Sequence, residues 1–164
     1  MTATTKTTKW NEFEEYLEQT MRDNHIAGAA VAVYAEGRVI YAKGFGVRDI
    51  TTKEPVTPES IFGVASVSKS FTAMAMMQLV DARMVSLDDP VTKYIPELTL
   101  HGADMSKVTV RHILSHSTGL PPMTRREDII RLEDHVKFLN GEDYEILGKP
   151  GEYFSYANDT FLLN

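Results

Sequence analysis

The chain has 164 residues, 43% of them apolar and 24% charged, with a net charge of −6. That suffices for one domain with a real core. Charges of both signs are scattered along it, which excludes a basic nucleic-acid face. There is no cysteine, which removes disulfides, thiolate metal sites and a cysteine nucleophile together.

Met1 to Lys9 is Thr-rich and polar, and is expected to be a disordered tail, with a single domain over 10–164. It lacks an apolar h-region, so the expectation is a cytoplasmic chain with no secretory signal and no membrane partner. From Trp10, apolar residues at Phe13, Tyr16, Leu17 and Met21 recur every three to four positions and predict an amphipathic helix ending near Asn24. Ala29 to Ala35 and Arg38 to Phe45 flank Glu36-Gly37 and predict a β-hairpin. Asp49 to Ser60 reads as loop, and Ile61 to Ala65 as a short apolar segment leading into Ser66.

Lys69 to Met84 carries Phe71, Met74, Ala75, Met77 and Leu79 without a breaker and reads as a mostly buried helix, its methionines filling core. A short helix is expected between Pro90 and Pro96, and Thr109 is placed to cap one from Val110 to Ser115. Glu127 to Leu139 reads as helical, with Arg125-Arg126 and the acids that follow them as its solvated start. Glu152 to Tyr156 reads as extended, and the final apolar run Phe161-Leu162-Leu163 as the beginning of a helix.

Ser66 and Lys69 form S-x-x-K at the start of the long helix. Side chains three apart on a helix share a face, with Cβ atoms about 5–6 Å apart. A serine hydroxyl attacks poorly until a neighbour takes its proton, and a lysine with a lowered pKa can serve. The helix N-terminus favours the negative charge that develops there. Nine Ser and nine Lys predict roughly 0.5 such matches by chance, so the motif alone decides nothing. Tyr156-Ala157-Asn158 lies 90 residues on from Ser66, and roughly 0.2 Y-x-N matches are expected by chance.

The flanks are more specific. Ser66 to Ala73, Leu87-Asp88-Asp89-Pro90-Val91, Lys93 to Leu98, Thr109 to Leu120, and then Pro150-Gly151, Phe154, Tyr156 and Asn158 resemble, in order, the serine β-lactamase and penicillin-binding-protein family. The resemblance runs from Trp10 over nearly the whole chain and is nearest the branch of class C β-lactamases, D-aminopeptidases and esterases. It implies an α/β (α+β) fold: an antiparallel sheet flanked by helices, with a helical lobe and with the Ser66 helix buried beneath the cleft.

It also implies Ser66 as nucleophile, Lys69 and Tyr156 as proton carriers, and Asn158 as the residue that binds the substrate amide or positions Lys69. The reaction implied is acyl transfer from an amide, β-lactam or ester through a Ser66 acyl-enzyme. No cofactor is implied, and the partner is a small-molecule or peptide acyl substrate. The family's K-T-G or H-x-G motif is absent, so the chain is expected to stop before the C-terminal strands and before a complete active site. An uncovered sheet edge would then invite self-association. The alternative is a non-catalytic scaffold or an inactive truncated product. His112 and His116 stand four apart on a short helix, a metal-ligand spacing, but no third ligand lies nearby. His25, His101 and His135 read as surface or loop residues.

Overall fold

The computed structural model describes residues 4–122 and 128–163. Met1 to Ala3 of the tail, and Arg125, Arg126 and Glu127 of the expected helix start, lie outside the described residues. The chain forms two compact units, Met1–Gly63 and Val64–Asn164.

The first unit is a helix and a hairpin. Helix α1 (Thr4–Asp23) begins six residues ahead of Trp10, inside the stretch expected to be disordered. That polar run contains neither Gly nor Pro, so nothing in it stops the amphipathic helix from extending backwards. Strands β1 (Gly28–Ala35) and β2 (Arg38–Gly46) pair antiparallel from Gly28↔Gly46 to Ala35↔Arg38, with an irregularity between Val33 and Tyr34. Their turn residues Glu36 (φ 52) and Gly37 (φ 76) are both left-handed, the geometry that matches strand twist in a two-residue hairpin.

Trp10 of α1 stacks on Tyr41 of β2 with centroids 4.3 Å apart, and Phe13 meets the same ring edge-on. The Tyr41 hydroxyl donates to Glu14 at 3.0 Å, and Lys43 forms an ion pair with the same carboxylate. Burial, reinforced by Glu14, pushes the Tyr41 phenol up to about 12. Met21, Phe45 and Val56 are this unit's buried apolar residues among those described.

The second unit holds the larger core. Helix α2 (Ser68–Asp81) is preceded by a 3-10 turn over Ala65–Val67. Short 3-10 turns over Val91–Lys93 and Met105–Lys107, then helices α3 (Val110–Leu114), α4 (Leu132–Asn140) and α5 (Asn158–Phe161), complete it. Leu98, Ile113, Leu120 and Leu139 lie at its centre, surrounded by Val91, Ile95, Val108 and Val136. Thr109 caps α3: its hydroxyl accepts the His112 N–H, and the His112 ring receives the Thr109 N–H.

Three expectations fail here. α2 has no buried residue; Phe71 is 72% exposed and Met74 64%. Its apolar residues run all round the helix, a pattern that reads as burial, yet the described residues leave it uncovered. Its Met74 and Met77, and Met84 beyond it, therefore do not fill core, while Met105 does. α4 starts at Leu132, because Arg131 is extended, so residues 128–131 are not helical. His135 is not a surface residue: it is buried, with Nε2 3.1 Å from the Asp159 carbonyl oxygen. Among the described residues, no helix is long and apolar enough to cross a membrane.

Candidate active site

All four residues singled out from the sequence meet within the second unit. Ser66 is the middle residue of the 3-10 turn that runs into α2, and Lys69 lies one helical step on, so both face the same way. The Lys69 ammonium donates to Ser66 Oγ at 3.2 Å. Ala65, immediately before Ser66, has φ 44. A non-glycine residue in that region costs on the order of 1–3 kcal/mol and persists only where the surroundings enforce it.

The other half of the site comes from 90 residues downstream. Ala157 is extended (φ −126, ψ 113), and α5 starts at Asn158. Alternation across an extended residue sends the side chains on either side of it the same way. Tyr156 and Asn158 therefore aim together. The Tyr156 hydroxyl donates to Ser66 Oγ at 2.6 Å, and the Asn158 carboxamide oxygen accepts from Lys69 at 2.7 Å. Lys69 Nζ also lies 5.0 Å from the Tyr156 ring centroid and 5.5 Å from that of Phe161. Hydrogen bonding to Lys69 first, then to Ser66, holds the Tyr156 phenol below its ordinary 10. The direction suits an acid–base group working nearer neutrality.

Beside these atoms opens a cleft of about 580 Å³, lined by Ala65, Ser66, Lys69, Thr72, Asn158 and Leu162 among others. It is large enough for a small-molecule ligand.

The backbone that brings the halves together is the segment after α3. The Leu147 N–H donates to the Gly119 carbonyl at 2.9 Å, Gly151 to Ser117 at 2.8 Å, and Ser155 to His116 at 2.8 Å. Gly119 (φ 81) is required here, since a Cβ would stand 2.2 Å from the Gly148 carbonyl oxygen.

His112 and His116 do not share a face. His112 closes the α3 capping box, whereas His116 sits past the helix end with φ 54 and packs on Tyr156 and Phe161. Reading the sequence missed both His116 and Phe161 as neighbours of the site. The helical spacing assigned His116 to the wrong element, and Phe161 carried no polar signal.

The beta-lactamase family profile matches residues 13–164. Protein flp of Staphylococcus aureus (strain N315) is 28% identical over 158 residues, covering 93% of this chain and 31% of that protein. Esterase EstB of Burkholderia gladioli is 34% identical over 105 residues, 63% of this chain and 27% of the esterase. The structure of a class C beta-lactamase superposes with a TM-score of 0.76 at 27% identity, covering 92% of this chain and 40% of that one. The chain thus spans well under half the length of these relatives, and the antiparallel hairpin with its helices matches part of their fold. The chain belongs to the beta-lactamase family, which its relatives show to include hydrolases, a beta-lactamase and an esterase among them.

Proposed function

We propose that this chain carries the nucleophilic half of a serine hydrolase, in which Ser66 forms an acyl-enzyme with an ester, amide or β-lactam. The observation that carries the reading is the convergence of Tyr156 (2.6 Å) and Lys69 (3.2 Å) on one serine oxygen. Both groups donate to Ser66 Oγ in the resting arrangement. Loss of the phenol proton, eased by the Lys69 charge, turns Tyr156 into the acceptor of the serine proton.

Ser66 Oγ then bonds to the carbonyl carbon as the proton passes to the phenolate. The tetrahedral adduct expels the alcohol or amine, which takes that proton from Tyr156. Water, deprotonated by the same phenolate, attacks the acyl carbon; the bond from that carbon to Ser66 Oγ breaks, Tyr156 returns the proton to Ser66 Oγ, and the acid leaves. The Ser66 backbone N–H, just ahead of α2, is one donor for the oxyanion. Lys69 holds the phenolate electrostatically, and Asn158 holds Lys69. Esters lead among the substrate classes, because the relative with the higher identity is named an esterase.

The test is intact-mass spectrometry after exposure to a penicillin and, separately, to p-nitrophenyl acetate, with Ser66→Ala alongside. An acyl adduct in the parent that is absent from the variant is expected. A parent that stays unmodified by both reagents would refute a reactive Ser66 in this chain and favour a scaffold without catalysis.

A further inference from the structure

His116 touches neither Ser66 nor Lys69 by hydrogen bond, yet the segment carrying Tyr156 and Asn158 is fastened to it. Its carbonyl accepts the Ser155 N–H at 2.8 Å, and its Nδ1 accepts the Ala157 N–H at 3.3 Å. Between those two tethers lies Tyr156, whose ring centroid is 4.3 Å from the imidazole at a 35° tilt. Phe161 covers the imidazole at 5.3 Å and Phe154 meets it edge-on at 6.0 Å, leaving His116 8% exposed.

The bond to Nδ1 fixes the tautomer, because an acceptor at Nδ1 requires the proton on Nε2. Burial first, then the Lys69 charge, lowers the affinity of the ring for a second proton, so Nδ1 remains an acceptor at neutral pH. Ala157 is 1% exposed, and its N–H has no water to fall back on. A peptide held on one side of Tyr156 and a ring pressed against its face leave the phenol little freedom to swing.

We propose that His116 is a positioning residue: its Nδ1 anchors the Ala157 peptide and its ring backs the Tyr156 ring, so that the phenol stays aimed at Ser66 and Asn158 at Lys69. This deepens the acyl-transfer reading and rests on Tyr156 as its proton carrier. A catalytic group misplaced by about 1 Å can cost on the order of 100-fold in rate. The effect of His116 therefore exceeds what its distance from the reacting atoms suggests.

Two variants separate the contributions. His116→Phe keeps a ring and removes the acceptor. His116→Asn keeps an acceptor oxygen near the Nδ1 position, and asparagine tolerates the left-handed backbone. Each is read by NMR titration of the Tyr156 phenol carbon and by the rate of Ser66 acylation with p-nitrophenyl acetate. A folded His116→Phe is expected to move the phenol titration back toward 10 and to slow acylation about 10- to 100-fold. His116→Asn, which keeps the anchor and gives up the ring, is expected to shift the titration less than His116→Phe.

A folded His116→Phe with the parental phenol titration overturns the proposal. If that variant does not fold, His116→Asn decides: a titration moved only part of the way toward 10 supports the anchor with its ring, and one that is unchanged or fully ordinary refutes the proposal. The two readings fail separately. A parental Ser66 that resists acylation, with a Tyr156 titration that still responds to His116→Phe, removes the acyl-enzyme and keeps the anchor. Rapid acylation in a His116→Phe protein with an unmoved titration does the reverse.

Discussion

Replacing Gly119 by alanine is expected to cost about 2–4 kcal/mol. The residue has φ 81, and a left-handed backbone costs an L-residue about 1–2 kcal/mol. The new Cβ would also stand 2.2 Å from the Gly148 carbonyl oxygen, a backbone atom with no rotamer to move. Relief requires the two segments of chain to part, which weakens the Leu147 N–H bond to the Gly119 carbonyl, worth about 0.5–1.5 kcal/mol net.

Gly102→Ala is the control. Gly102 has nearly the same φ, 80, but the nearest atoms to its added Cβ are 3.6 Å away, an ordinary contact. It should cost only the conformational part. In urea, with a slope of about 1–3 kcal/mol per M, Gly119→Ala should lower the midpoint clearly further than Gly102→Ala. Equal losses in the two variants would refute the argument that close approach, beyond backbone angle, demands glycine at 119.

Three further outcomes are expected. Leu139→Ala, at a side chain with no exposure in the main core, should cost about 2–5 kcal/mol by urea unfolding; a loss below about 1 kcal/mol would mean that the site collapses around the gap. Tyr156→Phe should slow Ser66 acylation about 10²–10⁴-fold, and the parental rate should rise with pH through a phenol titration below 10 that the variant lacks; a variant with the parental rate and pH profile would remove Tyr156 from the relay. Asp89, held to about 2 by Lys93 first, then by Tyr94 and the Ser86 N–H, should contribute stability above the ordinary carboxylate range and lose it as pH falls through 2. The difference in urea midpoint between parent and Asp89→Asn should then be present at about pH 6 and vanish near pH 2; a difference constant over that range contradicts the pairing.

The hairpin was legible because Glu36-Gly37 between two apolar runs has a local cause, a turn whose handedness matches the strands. The α3 cap was legible for the same reason, since Thr109 and His112 satisfy each other within one turn. Burial was not legible for α2. An apolar periphery says that a helix wants covering, and says nothing about which part of a chain supplies the cover. The site itself split along the same line. The spacing of Ser66 and Lys69 encodes a shared helix face, and the family resemblance of the flanking segments named Tyr156 and Asn158 beside them. Phe161 and His116 join them only through tertiary packing, and at His116 the four-residue spacing from His112 pointed to a helix that has already ended.

The separation between Ser66 and Tyr156 also has a consequence for biosynthesis. At about 5–20 residues per second, the serine is made roughly 5–18 s before its phenol partner, given the 90 residues between them. Throughout that interval the nascent chain carries an ordinary hydroxyl beside a lysine, without the phenol whose lowered pKa makes a proton acceptor. Arming therefore waits on synthesis of the segment after α4 and its docking onto His116. If Ser66 is acylated as proposed, a growing chain is thereby protected from premature reaction with activated esters and lactams.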